Sequence, residues 1–399
     1  MNNSKSTLIP DDPRFDLSPN PLIRAMGNPH LWTCDDIINY VQENGIQMVN
    51  FMYPAADGRL KTLNFTINSR DYLRTILMTG ERVDGSSLFP FIEASRSDLY
   101  VIPRFSTAFL DPFAPIPTLT MLCSFFDRDG NPLDSDPRGV LQRACREFTQ
   151  TTGMEFECMG ELEYYVISPD PGIFPANDQK GYHESAPFAK HNNFRVKAMA
   201  TIASIGGNIK YGHSEVGNFT LDGLDYEQNE IEFLASPALE AADQLMLAKW
   251  VLRNMAVTEG VNVTFAPKIT VGKAGSGLHI HMRLMKDGKN VTQTADRKLC
   301  DYARRAIAGL LTLAPSITAF GNTNPTSYLR LVPHQEAPTN ICWGDQKPQH
   351  RLGLHGVEHV EDAHAEGDGD KVDRVIPQAT GHVFGRQLRE HRRTHLPGG

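Results

Sequence analysis

Gly160-Glu161-Leu162-Glu163-Tyr164-Tyr165 decides how the middle of this chain is read. Successive side chains of a strand point to opposite faces, so Glu161 and Glu163 share one face. Two carboxylates so placed repel each other unless that face meets water or a cation. Three further stretches put ionisable groups in strand-like contexts: His213-Ser214-Glu215-Val216, Gln228-Asn229-Glu230-Ile231-Glu232, and Gly275-Ser276-Gly277-Leu278-His279-Ile280-His281. The connection between Glu215 and Glu230 contains Gly and Asp and suits a long hairpin. The last stretch sets two imidazoles on one strand face, after small residues that let a ligand come close to the backbone. Alone, each Glu-x-Glu fits a solvated strand face, and His-x-His fits a hydrogen-bonded core pair. Together they offer four carboxylates and an imidazole, a hard, oxygen-rich set suited to Mg²⁺ or Mn²⁺ and poor for zinc. Such ions commonly serve ATP phosphates, and the absence of a G-x-x-x-x-G-K-[ST] segment argues against a P-loop.

Outward from this region the punctuation is regular. Thr33-Cys34-Asp35-Asp36 places a capping hydroxyl three residues before an acid, and Gly45 supplies a stop, which predicts a helix over 34–44. Met48, Val49 and Phe51, a turn at Asp57-Gly58, and Leu60, Leu63 and Phe65 predict a hairpin in a small mixed sheet. Asp136-Pro137 opens a helix that Gly153 ends, and further helices are predicted over about 194–205 and 239–258. The fold class is α+β, with a small N-terminal domain and a larger one after it.

Composition narrows the function classes. The chain has 399 residues, 40% hydrophobic and 22% charged, enough for two or three cores. Its net charge is -8, and its 39 Lys and Arg are dispersed, which argues against nucleic-acid and acidic-membrane partners. A polar start and the lack of any run of about 18 apolar residues point to a cytoplasmic enzyme. The six cysteines are scattered without C-x-x-C spacing and read as free thiols.

These motifs stand in a series. Asp84-Gly85-Ser86-Ser87, the Glu161/Glu163 strand, His213-Ser214-Glu215-Val216, Gln228-Asn229-Glu230, Lys268 with Gly275 to His281, and Asn324-Pro325 through Arg330-Leu331 to Glu336-Ala337-Pro338 resemble, in order, the motifs of glutamine synthetase. The resemblance covers about residues 30–345. It implies an N-terminal arm (1–29), a β-grasp domain (30–120) and a catalytic domain built on a partial barrel (121–345), in a homo-oligomeric ring with active sites between subunits. It further implies that ATP phosphorylates the side-chain carboxylate of L-glutamate and that ammonia, bound as ammonium, then displaces phosphate. Close relatives join glutamate to other amines, and a member that only binds ligand or assembles with intact subunits is a further alternative.

Carried over by position, Glu163, Glu215 and Glu230 resemble ligands of the ion nearer glutamate. Glu161 and His279 resemble ligands of the ion on the nucleotide phosphates, and His281 a phosphate contact. Gly275 and Arg330 match the groups that hold glutamate, Asp84 the acid that deprotonates ammonium across a subunit boundary, and Glu336 the acid on the flap over the intermediate. The series also departs from the family. Glu215 and Glu230 are fifteen residues apart, wider than the family spacing, so 219–226 reads as an insertion. Leu329, His334 and Gln335 replace residues that are commonly basic, glycine and aromatic.

The tail does not fit. After Trp343-Gly344-Asp345 the family continues with Arg-Asn-Arg-Ser, whereas this chain has Gln346-Lys347-Pro348-Gln349-His350. One codon set for those five, CAG AAA CCG CAG CAT, read one base on, gives AGA AAC CGC AGC, which encodes Arg-Asn-Arg-Ser. Seven of the fourteen histidines follow Gly344, and 358–373 is acidic and poor in apolar groups. A frameshift near 345/346 is expected, with 346–399 divergent, the C-terminal part of the catalytic domain missing or replaced, and activity impaired.

Overall fold

The computed structural model describes residues 15–296, 298–332, 341, 343, 351–353 and 374–376. Contact density divides the chain into two compact units. Of the described residues, the first takes those up to Arg146 and adds Val196–Ile209 and Ala242–Thr258; the second takes Glu147–Arg195, Lys210–Ala241 and those from Glu259 on.

In the first unit, α1 (Pro21–Met26) and α2 (Cys34–Glu43) precede the hairpin of β1 (Met48–Pro54) and β2 (Leu60–Thr66). Helix α2 begins where the sequence predicts because Thr33 and Asp36 cap each other: Asp36 N–H donates to Thr33 Oγ1 (3.3 Å) and Thr33 N–H to Asp36 Oδ2 (2.9 Å). The hairpin turns at Gly58, whose φ of +69° needs a residue without Cβ. Then follow α3 (Arg70–Thr79), β3 (Glu81–Asp84), β4 (Asp98–Pro103), β5 (Phe109–Leu110) and β6 (Thr118–Asp127). The sheet order is β2-β1-β6-β4-β3, with β5 also on β6; β1 and β6 are parallel and the other pairs antiparallel. Leu22, Ile37, Val49, Phe51, Leu73, Val101, Leu119 and Phe125 form one buried core against it.

Asp243, on the part of the chain added to this unit from Ala242–Thr258, takes two guanidinium groups: Arg104 Nη1 at 2.6 Å and Arg138 Nε at 3.1 Å, with all three side chains 15–18% exposed. Removing the shared carboxylate leaves two cations with little water. Asp243→Ala is expected to cost about 3 kcal/mol, read as a lower denaturant midpoint.

The second unit is built on β7 (Glu155–Pro169), preceded by α4 (Pro137–Thr152), whose first residues belong to the first unit. Helix α5 (Asn192–Ser204) leads to a long hairpin, β8 (Ile209–Leu221) and β9 (Leu224–Phe233), turning at Asp222-Gly223, both with positive φ. The stretch 219–226 is the tip of that hairpin, where the Phe219 and Tyr226 rings stack at 4.6 Å. Strand β10 (Ser236–Pro237), α6 (Ala238–Glu259), β11 (Asn262–Thr264), β12 (Leu278–Lys286), β13 (Lys289–Asn290), α7 (Asp301–Gly321) and α8 (Pro325–Arg330) follow. The sheet order is β13-β12-β7-β9-β8, and β10 and β11 also pair with β7. Arg351–Gly353 and Arg374–Ile376 form a short parallel pair; the rest of the stretch from Gly344 onward, and with it the frameshift reading, lies outside the described residues.

Candidate metal centre and active site

Strand register assembles the acidic groups. Along β7, Glu161 pairs with Glu232 of β9 on one side and with His279 of β12 on the other, while Glu163 pairs with Glu230. Period-two alternation puts all five on one face, and the intervening Leu162 and Tyr164, 1% and 0% exposed, enter the core on the other. Two directly opposed carboxylate pairs in an antiparallel sheet are destabilising by themselves. All four carboxylates are buried.

Each acid is held in its own way. Glu161 lies against two imidazoles, His279 Nδ1 at 2.8 Å and His281 Nε2 at 2.7 Å. Burial pushes its carboxyl upward, but the two histidines outweigh that and hold it below the ordinary carboxylate range. Glu163 Oε2 accepts from Gln228 Nε2 (3.0 Å) and from the Gly277 N–H (2.7 Å). Glu232 Oε1 is 2.6 Å from Lys210 Nζ. Glu230 lies among its own kind: burial, then the carboxylates of Glu163, Glu161, Glu215 and Glu232, push it up to about 10. His213 Nδ1 lies 3.7 Å from Glu215 Oε1 and its Nε2 lies 3.9 Å from Glu230 Oε1.

This donor set fits divalent cations. Ligand atoms of His213, Glu215 and Glu230 lie within 4.8 Å of one another, and so do those of Glu161, Glu230 and Glu232. His279 turns Nδ1 to Glu161, while its Nε2, which has no hydrogen-bond partner among the described residues, lies 3.9 Å from Glu163 Oε1. Oxygen donors dominate, as Mg²⁺ and Mn²⁺ require.

Of the residues singled out from sequence, Glu161, Glu163, Glu215, Glu230, His279 and His281 are brought together here. The His281 side chain is wholly buried. Gly275 and Arg330 adjoin them: a Cβ on Gly277 would stand 2.6 Å from Arg330 Nη2, 3.0 Å from His279 Nε2 and 3.3 Å from Glu163 Oε1, and one on Gly275 would stand 2.9 Å from Arg330 Cγ. Arg330 is lowered by burial and partly restored by Glu163. Gly277→Ala is therefore expected to push Arg330 and His279 apart and to lower turnover at least tenfold with little change in melting temperature, measured side by side. Asp84 belongs to the first unit, at the end of β3. Its exposed carboxylate accepts from Ser86 N–H (3.0 Å), Ser86 Oγ (2.7 Å) and Ser87 Oγ (2.9 Å), and the two serines draw it down to about 2. Glu336 lies outside the described residues.

Sequence reasoning assigned no role to Glu232, His213 or Gln228. The signal for Glu232 was present, because Glu230-Ile231-Glu232 repeats the Glu-x-Glu spacing of β7. Gln228 bridges two strands and the glycine loop: its Oε1 accepts from the Gly217 N–H (3.0 Å), and its Nε2 donates to Glu163 and to Gly275 O (3.0 Å).

Residues 134–351 match the family model described as glutamine synthetase, catalytic domain, and residues 45–128 match that of the glutamine synthetase β-grasp domain. The chain belongs to the glutamine synthetase family. A glutamine synthetase of Clostridium saccharobutylicum is 33% identical over 363 residues, covering 88% of this chain and 77% of that protein. One of Methanococcus maripaludis is 28% identical over 320 residues, covering 78% and 70%. In fold the chain is similar to a Plasmodium falciparum glutamine synthetase solved by cryo-electron microscopy (TM-score 0.69, 21% identity, 79% of this chain and 67% of that one). It is also similar to apo GmaS (TM-score 0.66, 19% identity, 76% and 70%). The α+β fold with a β-grasp domain ahead of a catalytic domain, expected from the motif series, is thus borne out, and the family is one of ligases. Among the described residues no helix is long and apolar enough to cross a membrane.

Proposed function

We propose that this chain is built to join ammonia to the side-chain carboxylate of L-glutamate at the expense of ATP, by way of γ-glutamyl phosphate. The observation that carries this reading is the two opposed carboxylate pairs, Glu161 with Glu232 and Glu163 with Glu230, on one buried sheet face. Such a face is stable and useful when divalent ions neutralise it. Bound there, Mg²⁺ or Mn²⁺ would offset the charge that gathers on a transferring phosphoryl group.

The chain's own groups divide the remaining work. Glu163, Glu215 and Glu230 would hold an ion on the glutamate side, and Glu161 and His279 one on the nucleotide side. His281 keeps Glu161 in place and stands ready as a phosphate contact. The Gly275 backbone and the Arg330 fork hold glutamate, since a planar guanidinium matches a carboxylate. Asp84, pre-ionised by Ser86 and Ser87, attracts ammonium and takes its proton; the ring of subunits supplies it to a neighbour's site. Glu336 closes the flap that keeps water from the acyl phosphate.

Activity in this chain is impaired by a shift of reading frame near 345/346, which removes an arginine pair that would steady the transferred phosphoryl group. The catalytic-domain match ends at residue 351, close to that junction. The test is phosphate release and glutamine formation with Mg²⁺, ATP, glutamate and ammonium. Slow, ammonium-dependent turnover is expected. Faster release with another amine would overturn the choice of ammonia, and ordinary turnover would overturn the impairment.

A further inference from the structure

Glu232 differs from the other acids of the face in what holds it. Glu161 rests on imidazoles, and Glu163 on a neutral amide and a backbone N–H, whereas Glu232 is held by the Lys210 ammonium. It is 1% exposed and pairs in register with Glu161. Its partner Lys210 lies on β8, at the end of the sheet order β13-β12-β7-β9-β8. The Lys210 side chain is 32% exposed, and its ammonium passes 5.0 Å from the Tyr211 ring centroid to reach Glu232 Oε1 at 2.6 Å.

We propose that Lys210 is a built-in counter-cation of the acidic site: by neutralising Glu232 it lowers the affinity of the adjoining carboxylates for a divalent ion and spares the empty site one buried negative charge. The geometry gives the reason. Oxygens of Glu161, Glu230 and Glu232 lie within 4.8 Å of one another, so three carboxylates are positioned to close on one ion. Lys210 occupies one of the three. An ammonium fixed beside a cation site repels an arriving cation, and in a buried setting salt screens that repulsion little. Lys210 is thus a positioning residue that acts through Glu232. The inference rests on reading the face as a divalent-cation site.

The experiment is Mn²⁺ titration of the full chain by calorimetry, together with thermal melts with and without Mn²⁺, for the wild type, Lys210→Met, Glu232→Gln and the double variant. Lys210→Met is expected to bind Mn²⁺ about tenfold tighter, equivalent to about 1.4 kcal/mol. It should also melt lower than wild type when metal-free and regain the difference at saturating Mn²⁺. Glu232→Gln, which leaves the ammonium uncompensated, is expected to bind about tenfold weaker, and the double variant to return close to wild type. Damage to packing does not tighten metal binding, so the gain separates this role from a merely structural one. Unchanged or weaker binding in Lys210→Met overturns the proposal, as does a double variant no closer to wild type than Glu232→Gln. If Lys210→Met does not fold, the comparison of Glu232→Gln with the double variant decides. A wild type that takes up no Mn²⁺ would instead sink the reading of the face as a metal site.

Discussion

Glu230→Gln is expected to move stability and activity in opposite directions. Without a cation Glu230 is buried and faces Glu163, Glu161, Glu215 and Glu232; burial first, and then those carboxylates, push its carboxyl up to about 10, so the metal-free fold must hold it protonated near neutral pH. An amide of the same shape is neutral without taking up that proton, so the metal-free variant should melt higher by about 2–4 °C, as a gain of about 1 kcal/mol would produce. The same change deletes an oxygen that belongs to both groups of ligand atoms, the one with His213 and Glu215 and the one with Glu161 and Glu232. The rise in melting temperature on adding Mg²⁺ or Mn²⁺ should shrink accordingly. In the frame-corrected protein described next, turnover should fall by about 10³, the scale of losing an electrostatic stabiliser of the transition state. A variant that melts lower in the absence of metal, and is still stabilised by Mn²⁺ as the wild type is, would refute the account of the acidic face.

Advancing the reading frame by one base at codon 346 is expected to raise turnover by at least about 10². With the codon set given above, Gln346-Lys347-Pro348-Gln349-His350 would then become Arg-Asn-Arg-Ser, and the frameshift reading expects the family's continuation in place of the histidine-rich stretch. Guanidinium groups aimed at a transferring phosphoryl group are worth about 10³–10⁵ in rate where one has been supplied or withdrawn. The candidate ligands Glu161, Glu163, Glu230 and His279 lie before the junction on strands already in register, so the proposed correction would add the missing arginines and the chain after them to a face that is in place. DNA sequencing across codons 340–360 is the first check. If no alternate frame there encodes the family's continuation, the correction has nothing to restore.

Much of the second unit was legible because its chemistry follows local rules. The Glu-x-Glu and His-x-His spacings fix a shared face once a strand is assumed, and Asp222-Gly223 marks a hairpin tip. The Thr33/Asp36 box likewise located α2. Glu232 went unassigned for a physical reason: alternation along one strand shows which residues share a face but not which neighbour they oppose. Only the register of β7 on β9 places Glu232 beside Glu161. The allocation of Val196–Ile209 and Ala242–Thr258 to the first unit was equally invisible, since it depends on long-range packing and not on helical periodicity.

The long central strand has a consequence for the order of folding. Glu215 and Glu230 ride on two arms of one hairpin, so closing that pair costs only a short loop. His279 must reach Glu161 across 118 residues of chain, a closure that pays its entropy before any contact rewards it. Half of the candidate cation site is therefore cheap to form early, while the other half waits on a long closure. An ion in the refolding medium would meet the hairpin's carboxylates first, and the divalent concentration during refolding would then govern how quickly the histidine strand zips onto β7.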